Sequence, residues 1–273
     1  MFSRFSITYT DDHPEVIGIP HTQDWQTRRL EAIDDGKHPT DPWNRPSNSF
    51  GLSGRALMEK ALESPPREPR PTASDFAAWI YSLYLGEPTP LVLKEAKEAE
   101  DEILHARQDW TSYAEFRHFR LSNWQQIHCG LGAPGPDDVQ NQFEIPSLRL
   151  NGEPLRAIPD LVFRQQDTGK VVIIEVKFSM AKIPRLLWAN VWAQLWVYSK
   201  IPEFATAPIV SCVGEVWGTN TGGWSLDGLD SSVYLRSSVQ RDPRGRAFDQ
   251  YFGRMFEIYG GTLEPGWRPE VIL

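Results

Sequence analysis

The stretch AIPDLVFRQQDTGKVVIIEVKFS, residues 157–179, decides which fold the chain adopts. Its two apolar runs, separated by the polar residues DTGK, are typical of two successive strands joined by a turn. Asp160, Glu175 and Lys177 nevertheless interrupt or border these runs. A charged group in such a place is costly unless it is paired, hydrated or bound to a metal. These three residues are therefore the first candidates for a functional site.

The alternation of side chains along a strand places Glu175 and Lys177 on one face and leaves the opposite face apolar. If the two runs pair with each other, Asp160 and Glu175 converge. Residues 151–153 predict a further hairpin turn, because Asn-Gly is a strong turn signal. Pairing across that turn would bring Glu144 opposite a residue within about one place of Asp160.

Carboxylates gathered in this way repel one another unless a cation joins them. Their hard oxygen atoms suit Mg²⁺ or Mn²⁺. A metal held there would lower the pKa of a bound water and stabilise charge on a phosphate group. Lys177 is then expected to orient that water or to neutralise the developing charge. A structural ion pair at a strand end is the alternative explanation for the same residues.

The pattern Pro159-Asp160, followed after a gap by Glu175-Val176-Lys177, resembles the PD-(D/E)xK nuclease superfamily. Gln194 and Tyr198, on a predicted helix after the second strand, resemble the Gln-x-x-x-Tyr helix of its RecB-like branch. The resemblance implies a restriction-endonuclease-like core and hydrolysis of phosphodiester bonds in DNA. It also implies that Asp160 and Glu175 hold the metal, that Lys177 is a catalytic partner, and that Gln194 and Tyr198 position the substrate.

An upstream helix, GRALMEKALE, resembles a second motif of that branch, GTxxHxxxE, with Gly54 in the place of the motif's glycine and Glu59 directly after the place of its histidine. Met58 stands where the family has histidine. Glu59 is therefore expected to assist as a metal ligand, as is Glu144. An inactive nuclease-like subunit, which binds nucleic acid or serves as a scaffold in a larger complex, is the alternative function.

The charge distribution favours a nucleic-acid partner only locally. The chain carries a net charge of −8, whereas residues 144–200 hold eight Lys or Arg and five Asp or Glu, a net charge of +3. Within this basic segment Lys182 and Arg185 are expected to contact phosphate groups. DNA is the expected substrate, and RNA cleavage is a further alternative. Trp188, Trp192 and Trp196 recur at helical spacing, which predicts core packing or a surface for a protein partner or self-association.

Several classes of protein are excluded by simple counts. Two cysteines, Cys129 and Cys212, cannot supply the four ligands of an iron–sulfur cluster, so none is expected. There is no phosphate-binding Gly-x-x-x-x-Gly-Lys-Ser/Thr loop of the kind that motor ATPases carry. The sequence also lacks an apolar run long enough for a membrane span and an N-terminal signal segment, so we expect an intracellular, cytoplasmic protein without a membrane partner.

The sequence predicts an α/β protein in which helices flank a central mixed sheet. Residues 1–50 show little periodicity and are predicted to be irregular. Residues 51–143 are predicted to be mainly helical and to contain the first core helix, and residues 144–273 to form the nuclease-like core. The charge-rich helix near 94–109 is predicted to expose a solvated face.

Overall fold

The described part of the chain combines strands and helices. The computed structural model describes residues 6–10, 13–17, 54–85, 90–107, 124–131, 142–179, 187–219, 231–240 and 246–269. The strands are β1 (Ser6–Thr10), β2 (His13–Ile17), β3 (Trp124–Cys129), β4 (Phe143–Leu150), β5 (Glu153–Ala157), β6 (Leu161–Gln165), β7 (Val171–Ser179), β8 (Val210–Thr219) and β9 (Ser231–Gln240). The helices are α1 (Gly54–Glu63), α2 (Ala73–Leu85), α3 (Pro90–Arg107), α4 (Ala189–Tyr198), α5 (Pro202–Ala205) and α6 (Arg246–Tyr259).

A mixed five-stranded sheet is the centre of the fold. Its strand order is β3-β6-β7-β8-β9, so β7 is the middle strand. β6 is antiparallel to β3 and β7, β8 is parallel to β7, and β9 is antiparallel to β8. A parallel pair needs a crossover connection, and α4 supplies it between β7 and β8. The mixed sheet flanked by helices that the sequence predicts is confirmed.

The alternation of β7 separates two apolar layers. Val171 and Ile173 lie in the large core beneath α4, which also contains side chains from α1, α2 and α6. Ile174 and Val176 lie on the opposite face, where α3 covers the sheet. Because every second residue of β7 faces α4, Glu175 and Lys177 continue the row begun by Val171 and Ile173.

Helix α4 is enclosed by protein, which explains its apolar composition. Every residue from Val191 to Tyr198 is buried, and α2 packs along the helix with further contacts from α6. Trp196 lies in an aromatic cluster with Phe76 and Phe256, its ring centroid 6.2 Å from that of Phe76. Trp192 is also buried, and Trp188 is half-buried. Two of the three tryptophans considered for a partner surface are therefore core residues.

The N-terminal segment contains regular structure that the sequence did not predict. Within residues 1–50, β1 and β2 form an antiparallel pair with Ser6 opposite Ile17. The β1 sequence, SITYT, consists largely of residues that favour strands. Each strand has five residues, which is too short for the alternation of polar and apolar side chains to be recognised as a periodic pattern.

The segment WQQIHC, which we predicted to continue a helix, is instead strand β3 at the edge of the sheet. Its pairing with β6 shifts register between Gln126 and His128. That bulge interrupts the alternation by which a strand is recognised in sequence. The sheet therefore begins with β3, which precedes residue 144, the residue at which the nuclease-like core was predicted to start.

The predicted hairpin around Asn151-Gly152 exists, but its second strand is shorter than expected. Both turn residues have positive φ, 52° and 87°, as a two-residue hairpin of this kind requires. β4 and β5 form a separate two-stranded sheet. β5 ends at Ala157, and the chain passes through Pro159 before it enters the five-stranded sheet as β6. Proline cannot donate a hydrogen bond to a ladder, which explains the break.

None of the helices in the described ranges is both long and apolar enough to cross a bilayer.

Candidate active site

The carboxylates of Asp160 and Glu100 lie along the part of β7 that follows Ile174 and is not paired with β6. β6 pairs with β7 as far as Leu161 opposite Ile174, so Asp160 lies level with Glu175, as the sequence predicts. The side chain of Asp160 accepts a hydrogen bond from the Val176 N–H, at 2.7 Å between nitrogen and Oδ2. Two residues further along β7, the Phe178 N–H donates to Oε1 of Glu100 at 3.1 Å. Along this edge, side-chain carboxylates accept the backbone hydrogen bonds that the carbonyls of a neighbouring strand would otherwise accept.

The backbone around Asp160 is fixed by the end of β3. The Gly130 N–H donates to the carbonyl of Asp160 at 2.8 Å. A Cβ at position 130 would lie 2.6 Å from the carbonyl oxygen of Pro159. The close approach therefore requires glycine, and it holds the Pro-Asp dipeptide against the sheet.

Glu100 is the functional candidate that the sequence did not reveal. It lies on α3, the helix for which a solvated face was predicted, at i, i+3, i+4 spacing from Ile103 and Leu104, which pack on the sheet. This spacing was the sequence signal for Glu100, because it places the Glu100 side chain beside the apolar stripe of the helix. The acid could not be assigned to β7 without knowing which face α3 covers.

The ammonium of Lys177 joins the carboxylates of the strand and the helix. Its Nζ is 2.7 Å from Oε1 of Glu175 and 3.6 Å from Oε2 of Glu100. The side chain of Glu175 is 1% exposed, whereas those of Lys177 and Glu100 are each 21% exposed. The cluster of Asp160, Glu175, Lys177 and Glu100, called here the acid–lysine cluster, therefore has a buried side and a side that reaches solvent.

Burial dominates the protonation equilibria of the acid–lysine cluster. Desolvation and then the nearby Glu175 carboxylate raise the pKa of Asp160 to about 8. Burial likewise raises the pKa of Glu175 and of Glu100, although Lys177 opposes both shifts. Burial alone would lower the pKa of Lys177, but the carboxylates around it raise that pKa above its ordinary value. The site therefore concentrates negative charge at a cost that a cation relieves.

Gln194 and Tyr198 support Glu175 from α4. The Gln194 Nε2–H donates to the Tyr198 hydroxyl at 3.2 Å, and that hydroxyl interacts with the Glu175 carboxylate. Both side chains are buried, and burial raises the pKa of Tyr198 well above its ordinary value. The sequence predicts that this pair positions substrate; in the structure both side chains are buried, and Tyr198 interacts with Glu175.

An apolar wall covers the β8 side of Glu175. Gly214 on β8 is the register partner of Glu175, and Leu187, which precedes α4, packs against this glycine. A Cβ at position 214 would lie 2.2 Å from Cδ2 of Leu187. The missing side chain of Gly214 thus makes room for Leu187.

The structure places the remaining predicted site residues elsewhere or does not describe them. Glu144 is exposed and opposite Arg156, not next to Asp160, because β5 ends before the Pro-Asp dipeptide. Glu59 is exposed on α1, which packs on α2 and α6. Met58, at the position where the family has histidine, is buried in the core. Lys182 and Arg185 lie outside the described residues.

The donor chemistry of the acid–lysine cluster fits a hard divalent cation. Asp160, Glu175 and Glu100 supply carboxylate oxygens, and Oε2 of Glu175 is buried with no hydrogen-bond partner among the described residues. Those residues nevertheless contain no group of three or more His, Cys, Asp or Glu side chains arranged to hold a metal. Lys177 contacts two of the three acids.

The raised pKa of Asp160 predicts a pH-dependent stability in metal-free buffer. The folded protein binds this proton more tightly than the unfolded chain, so the stabilisation is complete below the ordinary pKa of 3.8 and is lost as the pH rises towards about 8. We expect the free energy of unfolding to fall between about pH 4 and pH 8, by at most about 1.4 kcal/mol per pH unit from this group. Asp160→Asn should reduce the slope.

Urea unfolding in the presence of a chelator measures this slope. Asparagine can still accept the Val176 N–H, so the variant removes the titration and keeps the hydrogen bond. Asp167→Asn, an exposed turn residue between β6 and β7, is the matched control. Equal slopes for the wild type and Asp160→Asn would contradict the assignment.

Comparison with known proteins gives little support for any family. No family model matches the chain, and no curated protein sequence matches it. Among solved structures, one described as "Crystal structure of SSO0001" is similar over 80% of this chain and 90% of its own, at 12% identity and a TM-score of 0.26. That similarity is too low to carry an argument.

Proposed function

We propose that this chain is a Mg²⁺- or Mn²⁺-dependent deoxyribonuclease of the PD-(D/E)xK type, related to the RecB-like branch, with a restriction-endonuclease-like core. The observation that carries the proposal is the acid–lysine cluster. Asp160, Glu175 and Lys177, which define the motif in sequence, meet where the start of β6 lies beside β7, and Glu100 adds a third carboxylate. The mixed sheet with helices on both faces is compatible with the proposed core.

Each residue of the cluster has a distinct role in the proposed reaction. Asp160, Glu175 and Glu100 would hold the metal, with Glu100 in the assisting position for which Glu59 and Glu144 were considered. A bound metal would supply a water of lowered pKa and electrostatic stabilisation of the phosphate. Lys177 would donate a hydrogen bond to the attacking water or to the phosphate oxygen on which charge develops.

The second set of contacts keeps Glu175 in place. Tyr198, itself bonded to Gln194, holds the Glu175 carboxylate from α4. Leu187 packs against Gly214 on its β8 side. A carboxylate fixed in this way loses little freedom when it binds a cation, which favours a reproducible ligand geometry.

A nucleic acid is the proposed substrate because of the local charge, and DNA is proposed because the resemblance to the PD-(D/E)xK superfamily implies it. Lys182 and Arg185 lie between β7 and α4 in the net-basic segment 144–200 and are proposed to contact phosphates on either side of the scissile bond. Phosphate contacts of this kind do not distinguish DNA from RNA. Substrates of both kinds, single-stranded and double-stranded, therefore belong in the assay.

Cleavage of labelled DNA with and without Mg²⁺ or Mn²⁺ tests the proposal. We expect metal-dependent cleavage by the wild type and a loss of at least about 100-fold in Asp160→Ala and Lys177→Ala. Asp167→Ala and Lys170→Ala, which remove the same charges from the turn between β6 and β7, should cleave normally. The proposal fails if no nucleic acid is cut under any metal, or if the cluster variants cleave as well as the controls.

Nucleic-acid binding without turnover is the second candidate. It is favoured by the ion pairs of Lys177 with two of the three acids, which give the cluster a positive charge without a metal. Calorimetry separates the two functions. Binding of DNA with no uptake of Mn²⁺ that depends on Asp160 and Glu175 would identify a binding module.

A further inference from the structure

We propose that the ammonium of Lys177 is the resident counter-ion of the metal-free site, and that a divalent cation binds by displacing it from Glu175 and Glu100. Loading of the site is then an exchange of cations, in which Lys177 competes with the metal and weakens its apparent affinity. This inference rests on the proposed function, since it concerns the same carboxylates.

The charge balance of the acid–lysine cluster is the first argument. Three carboxylates surround one ammonium, and Lys177 is the cation that contacts two of them. Lys97, the other lysine that acts electrostatically on Glu100, forms an ion pair at 3.6 Å with Asp101 on the solvent side of α3. Without Lys177 or a metal, the buried carboxylates would repel one another with no direct counter-charge.

The difference in exposure shows which partner can move. Glu175 is almost fully buried and is held by Tyr198 from α4. The side chain of Lys177 is partly exposed and has four rotatable bonds, so its ammonium can turn towards solvent while Glu175 stays in place. Glu100 is equally exposed, but its Oε1 accepts a hydrogen bond from the Phe178 N–H. Displacement therefore requires a change of rotamer in one residue and no movement of the sheet.

The oxygen atoms show what a cation would gain in the cluster. Oε2 of Glu175 is buried with no hydrogen-bond partner among the described residues, so a cation that enters the cluster would satisfy it. Oε1 of Glu175 and Oε2 of Glu100 become available only when Lys177 leaves them. The lysine is then released close to the metal, where it can act on the water or the phosphate as proposed above.

The exchange predicts opposite effects of one substitution on binding and on cleavage. Lys177→Met removes the competing cation and keeps most of the side-chain volume. Removing a bound competitor should tighten the binding of Mn²⁺ by at least about tenfold, because the unpaired carboxylates then gain more from a cation. The same variant should lose cleavage. A lysine that merely helps the protein to fold, or that acts only in catalysis, would not tighten metal binding.

Calorimetric titration of the full chain with Mn²⁺ tests the exchange. Lys177→Met and Lys177→Gln should bind at least about tenfold more tightly than the wild type. Lys94→Met, which removes an exposed lysine of the same helix that pairs with Glu98, should bind as the wild type does. Equal or weaker binding by both Lys177 variants, with normal binding by the wild type, overturns the exchange and leaves the nuclease proposal standing. No uptake by any protein overturns both.

A measurement on the wild type does not depend on the folding of the variants. Acylation of lysines by an amine-reactive ester, followed by peptide mass spectrometry, reports how accessible each amine is. Saturating Mn²⁺ should increase the acylation of Lys177 and leave that of exposed Lys94 unchanged. Binding of Mn²⁺ without faster acylation of Lys177 would also overturn the exchange.

Discussion

Glu100→Gln is expected to reduce metal-dependent cleavage of DNA by at least about 100-fold, although it changes neither of the motif strands. Glutamine keeps an oxygen that can accept the Phe178 N–H, so the edge of β7 should remain ordered. It removes the negative charge that faces Lys177 and that would bind the metal. The loss would therefore report chemistry and not unfolding.

Steady-state cleavage and Mn²⁺ calorimetry on the same preparations measure this effect. Glu98→Gln is the matched control, because Glu98 lies on the same helix, is 51% exposed and pairs with Lys94. Cleavage by Glu100→Gln at the wild-type rate would show that the third carboxylate is structural. An equal loss in Glu98→Gln would show that the net charge of α3 matters and the position of Glu100 does not.

Gly214→Ala is expected to destabilise the protein by about 1–3 kcal/mol, since the new methyl group would overlap Leu187 in a packed layer. The leucine must move, and its movement opens the wall that covers Glu175. Gly253→Ala should act in the opposite direction. Its Cβ would meet only Cζ2 of Trp196, at 3.9 Å, and alanine is preferred to glycine within a helix such as α6 by about 1 kcal/mol.

Urea unfolding of both variants measures the contrast. The double variant Gly214→Ala/Leu187→Ala provides a further check, because removing the leucine also removes the overlap. The double variant should be more stable than the sum of the two single effects. A Gly214→Ala protein as stable as the wild type would mean that the wall beside Glu175 is loosely packed.

The central part of the site is predictable because its causes are local. Glu175 and Lys177 share a face because side chains alternate along a strand, and Asp160 meets Glu175 because successive strands joined by a short turn pair antiparallel. Glu100 could not be found in this way. It reaches Phe178 across 78 residues of sequence, and which face of the sheet α3 covers depends on packing between distant segments.

The incorrect predictions have equally specific causes. The bulge in β3 removes the alternation that identifies a strand. Glu144 was predicted to lie near Asp160 on the assumption of one continuous strand, and Pro159 divides that segment between two sheets. For Trp192 and Trp196, core packing was one of the two predicted roles, and their burial agrees with it; Met58 is buried in the core as well.

The two carboxylates on the edge of β7 also protect the protein from association with other chains. An open strand edge with unpaired N–H groups is a template to which a foreign strand can add. Asp160 and Glu100 occupy the Val176 and Phe178 donors with side-chain acceptors that carry charge. The acids proposed for catalysis therefore also serve solubility, so a substitution that retains the acceptor preserves this protection, whereas alanine removes it.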